Sequence, residues 1–436
     1  MKRLSLPLFA CCALASRMLA AEPDQRVLTL DEALRLARAN HPQLQAARAQ
    51  TEVSTAKVEE AKAPLLPQVS GNASYQRSTR NAATTMILPG GGTATVTGVS
   101  SGNSYNAGVT ASELIYDFGQ TTGRWKAAKA ILKSQEENER NSSVQVAFNL
   151  RAAYYAAAAA RAQLKVAEES LHNQEAHLKQ IQGFVEAGTR PEIDLAQART
   201  DRANAKVQLI NAQVAYDTNK ALLNQTMGVE RGTDYEVAEP SVQATEGEDS
   251  STDSLLPIAL KARPDLQSLA RQIEAQELST KALKGGYAPS LNVSTGLTES
   301  GPAVDNLDWG WNARLSLYWQ IFGGGITDEQ VREARAITAA LRAQYDLQRQ
   351  QVRADVEQAR LGVRATKAAI EATHEAAVNA RVRLGLAEGR YQAGVGSVIE
   401  LGDSQVALTT AAGQEVQAVF NLATARAKLL QALGQP

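Results

Sequence analysis

The sequence is short of aromatic residues, of cysteine and of net charge, and each shortage excludes a class of function. Only 5% of its 436 residues are aromatic although 44% are hydrophobic, which favours closely packed helices over a large globular core. The formal net charge of −1 provides no field that would attract nucleic acid, so no nucleic-acid partner is predicted. The cysteines are the adjacent pair Cys11 and Cys12, which almost excludes a cysteine-based catalytic site or a Cys-ligated zinc site.

Sequence motifs of enzymes and of metal sites are also missing. The sequence has no Ser-His-Asp pattern, no P-loop and no dinucleotide fingerprint, and Gly323-Gly324-Gly325 lacks the Lys-Ser/Thr of a phosphate-binding loop. His172 and His177 are five residues apart, a poor spacing for ligands on one helix face, and are interpreted as solvated surface residues. We therefore expect no enzyme activity, no catalytic residue, no metal site and no cofactor.

Residues 1–21 have the pattern of a secretory signal peptide. Lys2 and Arg3 precede an apolar run, and small residues follow that provide a cleavage site near Ala20 or Ala21. Cleavage before Cys11 would instead produce a lipoprotein, which is the less favoured alternative. Removal of the signal takes away three of 45 basic and none of 46 acidic side chains, leaving a net charge of −4 and no cysteine. No later run of about 18 apolar residues predicts a transmembrane helix.

The remaining chain consists of two similar halves. Residues 41–45, His-Pro-Gln-Leu-Gln, resemble residues 263–267, Arg-Pro-Asp-Leu-Gln, which lie 222 positions later. Further along the offset falls to 206, at which Ala187-Gly188 matches Ala393-Gly394. The first half therefore contains 16 additional residues, near a loop predicted at Pro89–Gly92.

Each half is predicted to contain a helix, two strands, a very long helix and a second helix. The first of these helices begins near Thr29, with Thr29 or Asp31 as its N-cap, and Pro64 and Pro67 end it. Each very long helix has 69 proline-free residues and would span about 100 Å. In the first repeat, 22–230, we place strands at about 67–80 and 103–116 and helices at about 119–187 and 192–227. A linker covers 231–252. In the second repeat, 253–436, we place strands at about 289–299 and 309–321 and helices at about 325–393 and 398–433.

The predicted strands alternate between apolar and small polar residues, which is typical of outer-membrane strands. An ordinary sandwich sheet is the alternative. Three of the four tryptophans lie in one strand, as an interfacial aromatic girdle requires. The residues predicted at the membrane interface are Tyr75, Tyr105, Trp309, Trp311 and Trp319.

Four membrane strands cannot remain an open sheet, because unpaired backbone groups are not tolerated in lipid. The smallest membrane barrels have about eight strands, so the chain must oligomerise. A dimer would provide eight strands with a filled interior, and a trimer twelve strands with room for a channel.

Residues 114–120, Leu-Ile-Tyr-Asp-Phe-Gly-Gln, resemble the strand-to-helix junction of TolC-like outer membrane factors, the outer membrane efflux proteins. Residues 40–44, the duplicated plan and the Ala-Gly turns are similar too. The resemblance implies a mainly α fold with a membrane β-barrel portion, in which a homotrimer builds a twelve-stranded barrel continued by a long periplasmic α-helical barrel. The implied function is a passive outer-membrane exit duct for a tripartite efflux pump or a type I secretion system. The implied partners are a periplasmic adaptor, an inner-membrane pump and outer-membrane lipid.

The resemblance also assigns roles to the two helix–helix turns and the acids after them. The predicted adaptor-docking tips are Gly188, Thr189, Arg190, Gly394, Val395 and Gly396. Asp194, Glu400 and Asp403 are predicted to form an acidic ring at the periplasmic entrance. Glu400 and Asp403 alone would provide six carboxylates in a trimer, which would favour cations. Ordinary helix chemistry also explains both groups, because glycine is a common C-cap and acids are favoured near helix N-termini.

The main alternative is a periplasmic coiled-coil adaptor or scaffold protein without a membrane barrel. Such a protein would share the long helices, but it would not need four alternating strands with a belt of tryptophans.

Overall fold

The computed structural model describes residues 27–230, 232–239, 244–245 and 247–436. The predicted signal peptide, 1–21, lies outside the described residues. Within these ranges, no helix combines the length and apolarity that crossing a membrane requires.

The first half contains two short helices, two long strands and two long helices. In chain order the elements are β1 (Val27–Leu28), α1 (Leu30–Asn40), α2 (Pro42–Lys62), β2 (Gln68–Ile87), β3 (Thr93–Tyr116), α3 (Gln120–Glu186) and α4 (Glu192–Met227). The second half follows the same order. Its elements are β4 (Glu236–Val237), α5 (Thr252–Ala262), α6 (Pro264–Lys284), β5 (Ser290–Ala303), β6 (Asn306–Tyr318), α7 (Ile326–Gln392) and α8 (Val398–Ala432).

Corresponding helices of the two halves have nearly equal lengths. α1 and α5 have 11 residues each, α2 and α6 have 21, and α3 and α7 have 67. At 1.5 Å per residue α3 and α7 are each about 100 Å long.

The first predicted helix is divided in two. His41 has extended backbone angles (φ −64°, ψ 121°), and Pro42 begins α2 as its first residue. Proline disfavours helical angles at the residue before it and cannot donate the next helical hydrogen bond. The predicted linker, residues 231–252, contains the short strand β4, which pairs in parallel with β1.

The first β-hairpin is longer than predicted. β2 reaches residue 87 and β3 begins at residue 93, because the turn forms at Leu88–Gly92, where Gly90 and Gly91 have φ of 121° and 86°. The part of the hairpin next to this turn is rich in Ser and Thr, and it lacks the alternation of apolar and polar residues on which the strand prediction relied. Hydroxyl pairs such as Thr79 with Ser101, 3.0 Å apart, join its strands. In the second half, β6 ends at Tyr318, three residues before the predicted boundary.

The four long strands form one antiparallel sheet in the order β2-β3-β5-β6, with β2 and β6 at its edges. Paired residues point to the same side and successive residues alternate, so the register defines two faces. One face carries exposed large apolar residues: Val69, Tyr75, Val109, Leu297, Trp309, Trp311, Leu315 and Leu317. The opposite face carries mainly small polar residues: Ser70, Asn72, Ser74, Asn106, Thr110, Asn292, Ser294, Thr298, Asn312 and Ser316.

The long helices lie side by side in the order α4, α3, α8, α7, and α6 packs against both α3 and α7. Alanine allows close approach where α3 is most buried, at Ala157–Ala160. There Tyr154 donates hydrogen bonds to the carbonyl oxygens of Leu28 and Ala238, at 3.1 and 3.0 Å, and so fixes the short β1–β4 pair against α3. A separate apolar cluster joins α3, α4, α7 and α8 near the two helix–helix turns.

Candidate functional site at the helix tips

The turn between α3 and α4 is closed by a left-handed glycine. Gly188 has φ of 70°, and its N–H donates to the carbonyl oxygen of Val185 at 2.9 Å. The N–H of Thr189 donates to Phe184 O at 2.9 Å, and the Thr189 hydroxyl donates to the same oxygen. This pattern satisfies the last carbonyls of α3 as a Schellman-type C-cap does. Thr189 and Arg190 then follow at the end of the hairpin.

The turn between α7 and α8 is closed in the same way, with a tighter second glycine. Gly394 has φ of 79°, and both Val395 and Gly396 donate backbone hydrogen bonds to the Arg390 carbonyl oxygen, at 3.1 and 2.9 Å. A Cβ on Gly396 would lie 2.9 Å from the backbone nitrogen of Tyr391, so a larger residue would displace the backbone. Ser397 caps α8 by accepting from the Glu400 N–H at 3.1 Å.

Arg190 joins the two tips. Its Nη2 donates to the Tyr391 carbonyl oxygen at 2.8 Å and to the Gly396 carbonyl oxygen at 3.5 Å. Its guanidinium carbon also lies 4.3 Å from the centre of the Tyr391 ring, a cation–π contact. The predicted tip residue Arg190 therefore does not simply project into solvent, because it holds the second turn of the same chain.

Asp194 differs from its predicted position. Its residue is only 8% exposed, and its Oδ2 accepts a 3.2 Å hydrogen bond from the hydroxyl of Tyr391, which is 2% exposed. Burial and the neighbouring Asp194 carboxylate raise the pKa of Tyr391, so the hydroxyl stays protonated and continues to donate. Asp194 faces the interior of the tip because α4 directs it towards α7. Its carboxylate is thus buried within the protomer, whereas Glu400 is half-buried and Asp403 is exposed.

Glu400 and Asp403 lie on exposed parts of the first turns of α8. Glu400 Oε1 is 3.2 Å from Nε of Arg390, so its charge is partly balanced within the chain. Asp403 is exposed and borders a groove of about 650 Å³ between α4 and α8. Asp201 of α4 lines the same groove, and burial raises the pKa of its carboxyl group. Gly402 lines the same groove, and a Cβ there would make an ordinary van der Waals contact with Asp201 Oδ2 at 3.8 Å.

The five predicted interface aromatics all lie at the sheet. Tyr75 pairs directly with Tyr105, and their rings are 4.9 Å apart. Trp309 pairs with Glu299 of β5, which in turn pairs with Ala107 of β3. Trp309 therefore lies about two residues along the strands from the level of Tyr105. Trp319 follows the other end of β6 and donates to the Tyr287 carbonyl oxygen at 3.0 Å.

The ten residues between Trp309 and Trp319 correspond to about 33 Å along a strand, or about 25 Å of height at a tilt near 40°. That is the height of the apolar band of an outer-membrane barrel. Trp311 lies inside this band, where its indole N–H donates to Thr295 Oγ1 at 3.0 Å.

Sequence reasoning missed three residues of the tips, namely Tyr391, Arg390 and Asp201. The signal for Tyr391 was available, because α7 contains only one other aromatic residue, Tyr345, and Tyr391 stands two positions before the Ala-Gly turn. The interpretation of His177 as a solvated residue is wrong. Its side chain is 15% exposed and its Nε2 lies 3.3 Å from Oε1 of Glu388 on α7.

Comparison with known proteins gives concordant matches in sequence and structure. A family model described as outer membrane efflux protein matches residues 33–229 and 255–435. The outer membrane efflux protein BepC of Brucella suis is 24% identical over 417 residues, covering 93% of this chain and 85% of BepC. The probable efflux pump outer membrane protein TtgC of Pseudomonas putida is 24% identical over 382 residues, covering 86% of this chain and 76% of TtgC.

Solved structures share the fold over nearly the whole chain. VceC of Vibrio cholerae, an outer membrane protein, superimposes with a TM-score of 0.79 at 18% identity, covering 93% of this chain and 96% of VceC. The CmeC outer membrane channel of Campylobacter jejuni superimposes with a TM-score of 0.78 at 19% identity, covering 99% of this chain and 94% of CmeC.

Proposed function

The chain belongs to the outer membrane efflux protein family, and from this premise we propose that three copies assemble into one passive exit duct of a tripartite pump. Its location in the outer membrane, with a large periplasmic portion, agrees with the prediction from the sequence. The relatives described above are named as efflux proteins, which favours drug or small-molecule efflux over type I secretion. The alternative of a periplasmic adaptor without a barrel is not supported, because family and relatives are outer-membrane proteins.

The observation that carries the proposal is the four-stranded sheet. It has an apolar face of membrane height, a polar face and two unpaired edge strands, β2 and β6. Unpaired strand edges are not tolerated in lipid, so β2 of one copy must pair with β6 of another. Three copies then give twelve strands, which can surround an aqueous channel.

The outermost helices support the same assembly. On α4 the exposed residues Ile193, Val207 and Val214 are spaced by multiples of seven, and Ile210 lies on the same side. We call these four residues the α4 seam. It lies on the side of α4 opposite the buried Ala198 and Ala205.

The other edge of the protomer offers a matching surface. On α7 the large residues Leu347, Leu361 and Leu386 are exposed on the side opposite the buried Val352, Val356 and Val363. An α4 seam placed against this surface of the next copy would bury both and would continue the row α4-α3-α8-α7 into a closed tube.

The helix tips fit the proposed contact with the periplasmic adaptor. Val395 and Ile399 are exposed at the second tip. Exposed apolar side chains at the free end of a long rigid element are suited to docking another protein. The conduction pathway would then run from the adaptor and the inner-membrane pump through the tips to the barrel.

The proposal is tested with the purified protein in detergent and in planar bilayers. We expect a mass of three protomers in detergent and discrete ohmic channels after insertion. A soluble monomer without channel activity would refute the exit duct, and a dimer would refute the twelve-stranded barrel.

A further inference from the structure

The first hairpin extends far beyond the rest of the sheet. β2 and β3 pair from Gln68 with Ser112 up to Ile87 with Thr93, whereas the pairing of β3 with β5 ends at Tyr105 with Gly301. Twelve residues of β3, from residue 93 to residue 104, therefore lie beyond this pairing, although β5 itself continues to Ala303. This length corresponds to about 40 Å along the strand. We call the projecting part of β2 and β3, residues 76–104, the ribbon.

The first hairpin has no acidic residue before Glu113, which lies near the end of β3 that leads into α3. Between residues 68 and 112 the sequence has no Asp or Glu, and its charged residues are Arg77 and Arg80. With 46 acidic residues in 436, a stretch of this length would contain about five at the average of the chain. The shorter second hairpin, residues 290–318, contains Glu299, Asp305 and Asp308. The absence therefore belongs to the first hairpin and is not a general property of the strands.

Arg77 and Arg80 lie on opposite faces of the ribbon. Arg77 is two residues beyond Tyr75 on the apolar, outward face, opposite Asn103, and Arg80 is on the face that continues the polar side. Both side chains are exposed, and within the described ranges Arg77 makes no hydrogen bond or ion pair. Since Tyr75 and Tyr105 mark one boundary of the apolar band, Arg77 stands just outside it, at the height of lipid headgroups.

The outward face above Arg77 is uncharged and rich in hydrogen-bonding groups. Besides the apolar Ala83, Ile87 and Val99, this face carries Thr79, Asn81, Thr85, Thr93, Thr95, Thr97, Ser101 and, level with Arg77, Asn103. The register places Glu113 and Glu299 on this face, and both lie below the level of Tyr105; Asp305 lies in the β5–β6 turn, two strands away from β2. A phosphate approaching Arg77 would thus meet a cation, hydroxyls and amides without a carboxylate beside them. An arginine binds phosphate through two parallel charge-assisted hydrogen bonds.

We propose that the outward face of the ribbon binds the phosphorylated sugar headgroup of an outer-leaflet glycolipid, with Arg77 on a phosphate and the Thr/Asn face along the sugars. The inference rests on the proposed barrel, which makes this face the outer one. It adds a lipid partner and a binding residue to the passive duct. Carboxylates at this end of the hairpin would repel the phosphates, which gives a reason for their absence. The length of the ribbon matches a headgroup layer that extends well beyond the membrane surface.

The test compares two variants of the full mature chain as purified oligomers. Each is reconstituted in phosphatidylcholine nanodiscs that contain either bisphosphorylated lipid A or the same lipid A after removal of its phosphates. Lipid retained per protomer is measured by native mass spectrometry. Losing one charge-assisted contact costs about 1.5 kcal/mol, so Arg77→Gln should lower retention of the bisphosphorylated form about tenfold. Arg80→Gln, on the opposite face of the same hairpin, should change it less than about twofold.

Further measurements distinguish binding of the glycolipid from binding of free phosphate, and failure of this proposal from failure of the proposed trimer. Excess inorganic phosphate should not displace the lipid, whereas displacement would indicate a simple phosphate site. Arg77→Lys should retain lipid at an intermediate level because it keeps the charge without the paired donors. Equal retention of both lipid A forms, or equal loss in both glutamine variants, would overturn the proposal. Mass and conductance recorded on the same samples test the trimeric duct separately, since neither should depend on Arg77.

Discussion

The guanidinium carbon of Arg190 lies 4.3 Å from the centre of the Tyr391 ring, and Arg190 Nη2 donates a 2.8 Å hydrogen bond to the Tyr391 carbonyl oxygen. Arg190 belongs to the turn after α3, and Tyr391 to the last turn of α7. The contact therefore joins the tips of two hairpins that are 201 residues apart in the chain. Any widening at the tips that separates these hairpins must break it.

We expect Arg190→Ala to favour separation of the two tips. The lost cation–π contact and hydrogen bond contribute about 1–2 kcal/mol together, so the ratio of separated to joined tips should rise about five- to thirtyfold. Single-channel recording measures this as a higher open probability or larger mean conductance. Arg199→Ala is the matched control, because it removes the same charge from an exposed position on α4. An equal increase in both variants would show that net charge, and not the contact with Tyr391, controls the tips.

The tip contact also shows where sequence reasoning was sufficient and where it was not. Local signals predicted both turns, because a left-handed glycine after a long helix has a clear pattern at Gly188 and Gly394. The depth of Asp194 was not predictable from its position near a helix N-terminus. Its burial depends on its contact with Tyr391 at the end of α7, which only the tertiary packing of the two tips brings about.

The sheet gives a similar contrast. Alternation predicted the faces of all four strands, since large apolar residues lie on one face and small polar residues on the other. It did not predict the ends of β2 and β3, because Ser and Thr give no apolar contrast on a strand that is exposed on both faces. The division at His41 was implied by Pro42 alone, and a long helical pattern on both sides concealed it.

Neutralising the exposed acids of α8 should reduce cation selectivity. Asp403→Asn combined with Glu400→Gln removes six carboxylates from a trimer. A monovalent cation about 4 Å from a carboxylate in water gains about 1 kcal/mol, so the cation-to-anion permeability ratio should fall about fivefold. Reversal potentials in a salt gradient measure the ratio.

Two controls locate the effect at the tips. Asp346→Asn removes an exposed carboxylate from the middle of α7 and should leave the ratio unchanged. Asp194→Asn should also leave it unchanged, because Asp194 is buried against Tyr391. If selectivity stays the same in the double α8 variant, Glu400 and Asp403 do not line the entrance.

A charge on the α4 seam should prevent assembly without unfolding the protomer. Val214→Asp would place a carboxylate in an apolar interface, which costs several kcal/mol. Light scattering in detergent should show protomers in place of trimers, while the helical circular dichroism signal is retained. Gln213→Asp introduces the same charge at the neighbouring exposed position outside the seam, and this control should stay trimeric. A trimeric Val214→Asp protein would place the interface elsewhere.

Glu248 fixes the segment between the two halves to both long helices of the second half. Its residue is 5% exposed, and its carboxylate accepts from Nε and Nη2 of Arg426 at 2.7 and 2.9 Å. Lys367 on α7 approaches the same carboxylate at 2.7 Å and also pairs with Asp249 at 2.6 Å. The hydrogen bond from Arg426 is the main cause that lowers the pKa of Glu248 to about 2.

This lowered pKa predicts acid sensitivity in a defined window. A carboxylate with a depressed folded pKa stabilises the fold above its unfolded value of 4.5, and that contribution disappears as the pH falls through about 2. The shift corresponds to about 2–3 kcal/mol at neutral pH. Glu248→Gln should therefore lower the thermal midpoint at pH 7, and its difference from wild type should shrink steadily between about pH 5 and pH 2. Glu329→Gln, which breaks an exposed pair with Arg332, should change the midpoint little at any pH. A Glu248→Gln difference that stays constant across this range would mean that the carboxylate titrates alike in the folded and unfolded chain.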